Sequence, residues 1–402
     1  MALLTEPVFP RSRAPFWLLV AITASGTLAM HILVPSLPLA AVDLGVSAGS
    51  IQLAITLYLV GVAFGQLLYG PASDMFGRRP VLLVALSAYV IASIVAGLAP
   101  NLPVLLAARV VQAVGGCGGL VLGRAIVRDG AEHGQAASQM ALLTMTQSLA
   151  PGIGPAIGGY LGAWFGWRSI FAALTGLGGA TLAATVLTLP ETAASRGAAP
   201  VRMLTSYARL LRASNFRGFM LGGAFTSTSI YAYLAASPFI FTQMLHRPAE
   251  EVGVYYLAIM AGVPVGSFIA SRLARRVRLG LLLRATNALS MLGAAILFAI
   301  TISGHLSVPG ILLPMMLYSI GIGATSPIAL ASAIGTQPQM IGAASGLYGF
   351  TQMSFGALCT LAVGVWPGEQ ALTAAGVLLA ATVAGQLAFI AATRVPAKLD
   401  RF

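Results

Sequence analysis

A chain of 402 residues with 58% hydrophobic and only 8% charged residues lies far from the soluble norm, in which about 25% of residues carry charge. Its mean hydropathy of +0.89 means more apolar surface than globular cores can hide, which excludes an ordinary soluble protein and makes lipid the expected solvent. The net charge of +12 would point to nucleic acid in a soluble chain, so its placement along the sequence has to decide what it means.

A spanning helix takes about 20 mostly apolar residues. Twelve such stretches follow one another, starting near Phe16, Ser50, Pro80, Pro103, Gln135, Ser169, Phe216, Glu251, Leu279, Pro309, Gly342 and Ala371. Short turns are left between them, with no room for a sizeable soluble domain. The first stretch begins behind Arg11 and Arg13 and runs to Pro38. It exceeds the apolar core of a signal peptide, about 7–15 residues, and no small-x-small site follows, so it reads as a retained span. Pro35 and Pro38 are expected to bend or end that helix near its outer end, where lost hydrogen bonds are tolerable only against protein or a cavity. Between the sixth and seventh stretches, a Pro/Ala/Ser run followed by a basic amphipathic piece reads as a linker. The expected organisation is an N-terminal tail (1–15), a six-helix bundle (16–189), a linker (190–215), a second six-helix bundle (216–393) and a C-terminal tail (394–402), making an all-α integral membrane protein of twelve transmembrane helices. A weak repeat supports the two halves: ASDMFGRR at 72–79 is echoed by ASRLARR at 270–276, and paired halves place a site between them.

With the N-terminus inside, 17 of the 22 cations fall in cytoplasmic segments: Arg11, Arg13, Arg78, Arg79, Arg128, Arg196, Arg202, Arg209, Arg212, Arg217, Arg272, Arg275, Arg276, Arg278, Arg394, Lys398 and Arg401. Arg168 and Arg247 fall outside, and Arg109, Arg124 and Arg284 within or at the edge of spans. The positive-inside rule then predicts both termini in the cytoplasm of a cell with an inner membrane. The positive charge is topology and calls for a lipid bilayer rather than nucleic acid.

The inventory removes several chemistries. Lys398 is the only lysine, so no P-loop lysine and no intramembrane Schiff base is available. His31, His133, His246 and His305 are scattered, and Cys117 and Cys359 lie alone in separate spans, giving neither metal-ligand spacing nor a disulfide; no metal or cofactor is expected. Ser345 near a helix start is the remaining enzyme idea, a membrane-embedded hydrolase, against which the small residues at 342–346 read as close helix packing. All ten acids sit in loops or at span edges, an unusual shortage for a proton-coupled carrier.

Four segments concentrate the remaining signal. The first span ends Met30-His31-Ile-Leu-Val-Pro35-Ser-Leu-Pro38. The loop after the second reads Gly70-Pro-Ala-Ser-Asp74-Met-Phe-Gly77-Arg78-Arg79, in which the glycines permit a tight turn, Asp74 is placed to cap a helix N-terminus and the arginines to hold headgroups. In the fourth, Arg109 lies roughly 9 Å past Pro103, costly there unless paired or wetted, with Gln112 on the same face at i+3. The fifth carries Pro151, Gly154, Pro155, Gly158, Gly159 and Gly162, a smooth groove for a close neighbour on a bent helix.

These segments resemble the major facilitator superfamily. The loop matches its G-x-x-x-D-x-x-G-R-R pattern at every fixed position, and the resemblance implies a cytoplasmic latch between the second and eleventh spans built on Gly70, Asp74, Gly77, Arg78 and Arg79. The Arg109 region is similar to the family's second motif, with an arginine projecting into the central region, and Ala150–Gly159 is similar to the glycine-proline motif of its antiporter branches. The first span and Trp167-Arg168-Ser-Ile-Phe171 resemble the bicyclomycin/chloramphenicol-resistance (Bcr/CflA-type) drug:proton antiporters, except that His31 stands where that branch has an acid. An imidazole titrates near neutrality and can replace the acid as carrier; the alternative is a neutral histidine bonded to a carbonyl freed by Pro35. His31 and Arg109 are therefore the proton-coupling candidates. Tyr58, Gln112, Gln147, Tyr231, Tyr233, Tyr256, Met260, Tyr318 and Gln352 are candidates to line an adaptable, mostly apolar cavity. The implied function is efflux of a hydrophobic or amphipathic small molecule in exchange for protons, by a monomer, with a solute importer of the same fold as the alternative.

Overall fold

The structure, a computed structural model, describes residues 14–130, 136–192, 201–274, 276–366 and 370–394. The expectations for Glu6, Arg11, Arg13, Glu132, His133, Arg196, Arg275, Glu369, Lys398, Asp400 and Arg401 lie outside the described residues. Among those described there is no β-strand, as lipid requires of any spanning element that is not a closed barrel.

The first stretch forms α1 (Phe16–His31), a 3₁₀ turn (Val34–Ser36) and α2 (Leu37–Asp43). Pro35 opens the 3₁₀ turn and Pro38 the helix after it, and Val34, Pro35, Ser36 and Leu37 are all buried, so the interruption is shielded by protein as its missing donors demand. Then follow α3 (Ala48–Phe76), α4 (Arg78–Gly97), α5 (Leu102–Gly130), α6 (Ala136–Phe165) and α7 (Arg168–Thr188). The basic piece of the linker is α8 (Val201–Arg212), which buries Leu210 and exposes Arg209 and Arg212. The seventh stretch is broken into α9 (Ser214–Thr228), α10 (Ile230–Phe239) and a π turn (Ile240–Met244), and the eighth into α11 (Ala249–Met260) and α12 (Gly262–Leu273). Pro264 offers no N–H to the carbonyl of Met260, which accounts for the break between α11 and α12, while Pro238 inside α10 frees Leu234 O, to which Tyr256 OH donates. The chain ends with α13 (Leu279–Ile302), α14 (Val308–Gly335), α15 (Ile341–Val365) and α16 (Gln370–Arg394). Nine of the segments described, including Phe16–Asp43 and Ala249–Leu273, are long and apolar enough to cross a membrane. The stretches expected near Gln135, Phe216 and Gly342 are helical as well.

Helices α1 to α7 pack mainly on one another, as do α9 to α16, and two seams join the sets: α3 against α15, and α6 against α11. At the end away from the Gly70–Arg79 loop, polar bonds tie α3 to α10, α16 and α15 of the other set. Gln52 Nε2 donates to Ala235 O at 2.9 Å and to Gln370 Oε1 at 3.4 Å, and the Thr56 and Thr360 hydroxyls bond at 2.8 Å. Towards the loop end, α12 packs on α14 and forms no substantial contact with α6. The seam of α3 on α15 continues from Gly49 beside Gly364 to Gln66 beside Gly346, with Phe64 edge-on to Phe350, so the two sets are clasped at one end and splay at the basic one on the α6 side alone.

The glycine face of α6 is what lets α1 come close. A Cβ added at Gly158 would stand 1.7 Å from Ile32 O, and one at Gly154 3.3 Å from the His31 Cβ. Gly158→Val is expected to cost about 3 kcal/mol or more, because a backbone clash is not relieved by rotamers. A thermal melt of the purified protein checks it, with Gly176→Ala as control: no atom lies within 4 Å of a Cβ there, and helix propensity predicts a gain of about 0.5–1 kcal/mol.

Candidate functional site

Arg109 is wholly buried, at 0% exposure. The α-helical i, i+3 spacing brings Gln112 beside it, and Nη1 donates to Gln112 Oε1 at 2.6 Å and to Ala29 O at 2.9 Å, while Nε donates to Ala54 O at 3.3 Å. The guanidinium carbon lies 4.1 Å from the Tyr58 ring centroid, a cation–π contact. Gln112 Nε2 donates onward to Ser93 Oγ at 2.8 Å, and Tyr58 and Tyr89 hydroxyls donate to Gly26 O and Ser25 O at 2.8 and 3.1 Å. The arginine therefore does not snorkel outward; helices α1, α3 and α5 hold it through carbonyl dipoles, an amide and a π face. No carboxylate pairs with it among the described residues, and its Nη2 has no partner.

His31, 3% exposed, ends α1 two residues beyond the carbonyl that Arg109 holds. Its Nδ1 lies 2.8 Å from Thr27 O, so Nδ1 carries the hydrogen and Nε2 is the basic nitrogen. That carbonyl is one turn upstream of the one Pro35 frees. The imidazole stacks on Tyr231 of α10 with centroids 6.1 Å apart, and Tyr231 OH donates to Met30 Sδ at 3.6 Å. His31 is thus the point where α1 meets the other helix set.

The remaining cavity candidates divide. Tyr58 and Gln112 belong to the arginine's support. Tyr256, fully buried with Tyr318, bonds Ser237 and donates to Leu234 O at 3.0 Å; Tyr318 bonds Ser229 at 2.7 Å and donates to Thr226 O at 3.0 Å. Tyr233 packs edge-on to Tyr256, its hydroxyl unpartnered, and Met260 is buried on α11 opposite Gly152. Gln147 accepts from Arg124 Nη2 across α5 and α6, and Gln352 is half-buried on α15.

The basic loop is a network inside the first helix set. Arg78 pairs with Asp74 at 2.7 Å and Asp129 at 3.0 Å, and bonds Ser73, which donates to Gly70 O at 2.9 Å. The helix N-terminus of α4 is capped by Glu191 rather than Asp74: its carboxylate accepts from the Arg78 and Arg79 backbone N–H groups at 2.9 and 3.3 Å. Gly77, at φ 97°, makes the turn, and a Cβ there would stand 2.5 Å from Glu191 Oε2. Arg79 Nη2 donates to Val186 O at 2.9 Å. None of these bonds reaches α15. Arg128 neighbours Asp129 at 3.8 Å, whereas Arg124 turns away to Gln147.

Reasoning from sequence missed the Glu191 cap, the Gln52–Thr56–Thr360 clasp and the buried partners of Thr226, a residue it placed with the cavity candidates: Thr226 donates to Asn287 Oδ1 at 2.6 Å and Asn287 Nδ2 to Gln386 Oε1 at 2.6 Å. For Gln52, Thr56, Thr360 and Asn287 the available signal was a polar side chain within an apolar stretch; Glu191, in the segment after α7, gave none.

Comparison with known proteins gives a consistent set of likenesses. The family model described as Major Facilitator Superfamily matches residues 18–360. The chain is 30% identical to the uncharacterized MFS-type transporter YdgK of Bacillus subtilis (strain 168), over 98% of both chains. It is 30% identical to multidrug resistance protein D of Escherichia coli (strain K12), over 83% of this chain and 84% of that one. A solved POT family transporter in complex with a thioalcohol-conjugated peptide superposes with a TM-score of 0.76 at 14% identity, over 95% of this chain and 96% of that one.

Proposed function

Because the chain belongs to the major facilitator superfamily, we propose that it is a secondary efflux transporter, exporting hydrophobic or amphipathic small molecules in exchange for protons by alternating access. In this reading twelve spans form two six-helix halves, 16–189 and 216–393, joined by the linker at 190–215, in the inner membrane of a bacterium, and a monomer suffices. The cation bias puts both termini and the basic loop in the cytoplasm, so the splayed end faces inward and the Gln52–Thr56–Thr360 clasp closes the outer side. The basic loop, bonded only within its own half, is then the latch in its released state.

The observation that carries the reading is the position of His31. One ring nitrogen is tied to its own helix, the other is free to take a proton, the ring stacks on Tyr231 of the other half, and Arg109 stands behind it without a counter-ion. Protonating His31 places two cations in one buried region, a repulsion that outward opening and water relieve. With no carboxylate at mid-span, the imidazole takes the acid's part as carrier. Export rather than import is favoured by the Gly154–Gly158 face on α1 and by the printed name of multidrug resistance protein D.

Cells producing the protein are expected to accumulate less of at least one dye in a panel, and a protonophore to abolish the difference; higher accumulation would establish import instead. His31→Ala is expected to reduce proton-coupled transport to background and His31→Asp to retain part of it. Normal coupled transport by His31→Ala would end the carrier role.

A further inference from the structure

We infer that the transported molecules are amphipathic organic anions, carrying a carboxylate or an equivalent negative group that Arg124 and Gln147 receive at the cytoplasmic mouth. This rests on the efflux reading above and names its substrate class. Three observations converge on it. Every carboxylate among the described residues lies within three residues of a helix end or in a loop: Asp43, Asp74, Asp129, Glu191, Glu250 and Glu251. The interior therefore offers no negative group to a cationic drug. Arg124 is the second arginine inside α5, on the same helix face as Arg109 and roughly 22 Å along the axis towards the splayed end. Among the described residues it has no carboxylate partner and its one hydrogen bond goes to Gln147 Oε1, while Gln147 Nε2 is buried with no partner there.

An orphaned amide N–H beside an uncompensated guanidinium is an arrangement complete only when an acceptor with negative charge arrives. A second orphaned donor, Arg109 Nη2, waits deeper on that face. Guanidinium forks match a carboxylate bidentately, and the planar fork of Arg124 beside the Gln147 amide supplies that recognition from two helices. The basic mouth adds long-range attraction for an anion and repels a cation.

The test uses purified full-length protein in proteoliposomes with an acidic lumen and three probes on one fluorophore: dansylglycine (anionic), dansylamide (neutral) and dansylcholine (cationic). Proton-driven uptake above protein-free liposomes is expected to be greatest for dansylglycine. Arg124→Gln is expected to raise its apparent KM at least tenfold while leaving dansylamide within twofold, and Arg124→Lys, which keeps the charge, to fall between. Gln147→Ala is expected to weaken dansylglycine alone, by about threefold or more. Preferred uptake of dansylcholine or dansylamide, or an Arg124→Gln defect equal for all probes, overturns the anion assignment and leaves efflux standing. No proton-dependent uptake of any probe overturns the efflux reading together with this one.

Discussion

Arg109→Met is expected to lower transport about 100-fold or more, on the order of 2.7 kcal/mol, while the protein still folds with a melting temperature within a few degrees of the parent. The two halves of that expectation come from the same geometry. A guanidinium at 0% exposure with no carboxylate near it pays desolvation without a counter-charge, so removing it relieves a cost. Replacing buried ions by apolar groups of similar volume is often neutral or stabilising. Against this gain stands Gln112 Oε1, which loses its 2.6 Å partner, a penalty of about 1–3 kcal/mol. The two nearly offset, and stability barely moves. Transport has no such offset, because the charge behind His31 and the free Nη2 donor both vanish. Arg109→Lys is expected to recover less than a tenth of the activity: an ammonium cannot reach Ala29 O, Ala54 O and Gln112 at once while lying over Tyr58. Parallel melting and proteoliposome uptake check this. Unfolding of Arg109→Met with normal uptake in its folded fraction would make the arginine structural.

Much of the fold was legible because its physics is local. Ten of the starts read from apolar length lie within two residues of helix starts, from Phe16 itself to Ile341 against the expected Gly342; the stretches near Gln135 and Ala371 are helical from the first residue described there. The breaks at Ser229 and Ala261 were not read, because hydropathy continues through them; Pro264 marks the second, and no proline stands near the first. Arg109 with Gln112 was legible for the same reason as the helices, being a pair one turn apart. Gln52 with Ala235 and Thr56 with Thr360 join residues 183 and 304 positions apart, and no periodicity within either helix reveals such a pairing. Glu191 was counted as a loop acid because its partner backbone lies 113 residues upstream. The resemblance in the loop named Gly70, Asp74, Gly77, Arg78 and Arg79 as a latch to α15, whereas in this conformation Arg78 pairs with Asp74 and Asp129 on its own half.

The central claim is that the two helix sets rock about a buried site, opening the end now clasped. The most direct measurement is transport with that clasp locked. The Thr56 and Thr360 hydroxyls point at each other 2.8 Å apart, so cysteines at the two positions present their sulfurs to one another across the clasp. The free, buried Cys117 and Cys359 are first replaced by alanine, so that Thr56→Cys and Thr360→Cys supply the only thiols. Under oxidation, uptake by the double variant is expected to fall to the level of protein-free liposomes, and a reductant to restore it, while each single variant transports under both conditions. Undiminished uptake by a fully cross-linked protein would contradict alternating access through this seam.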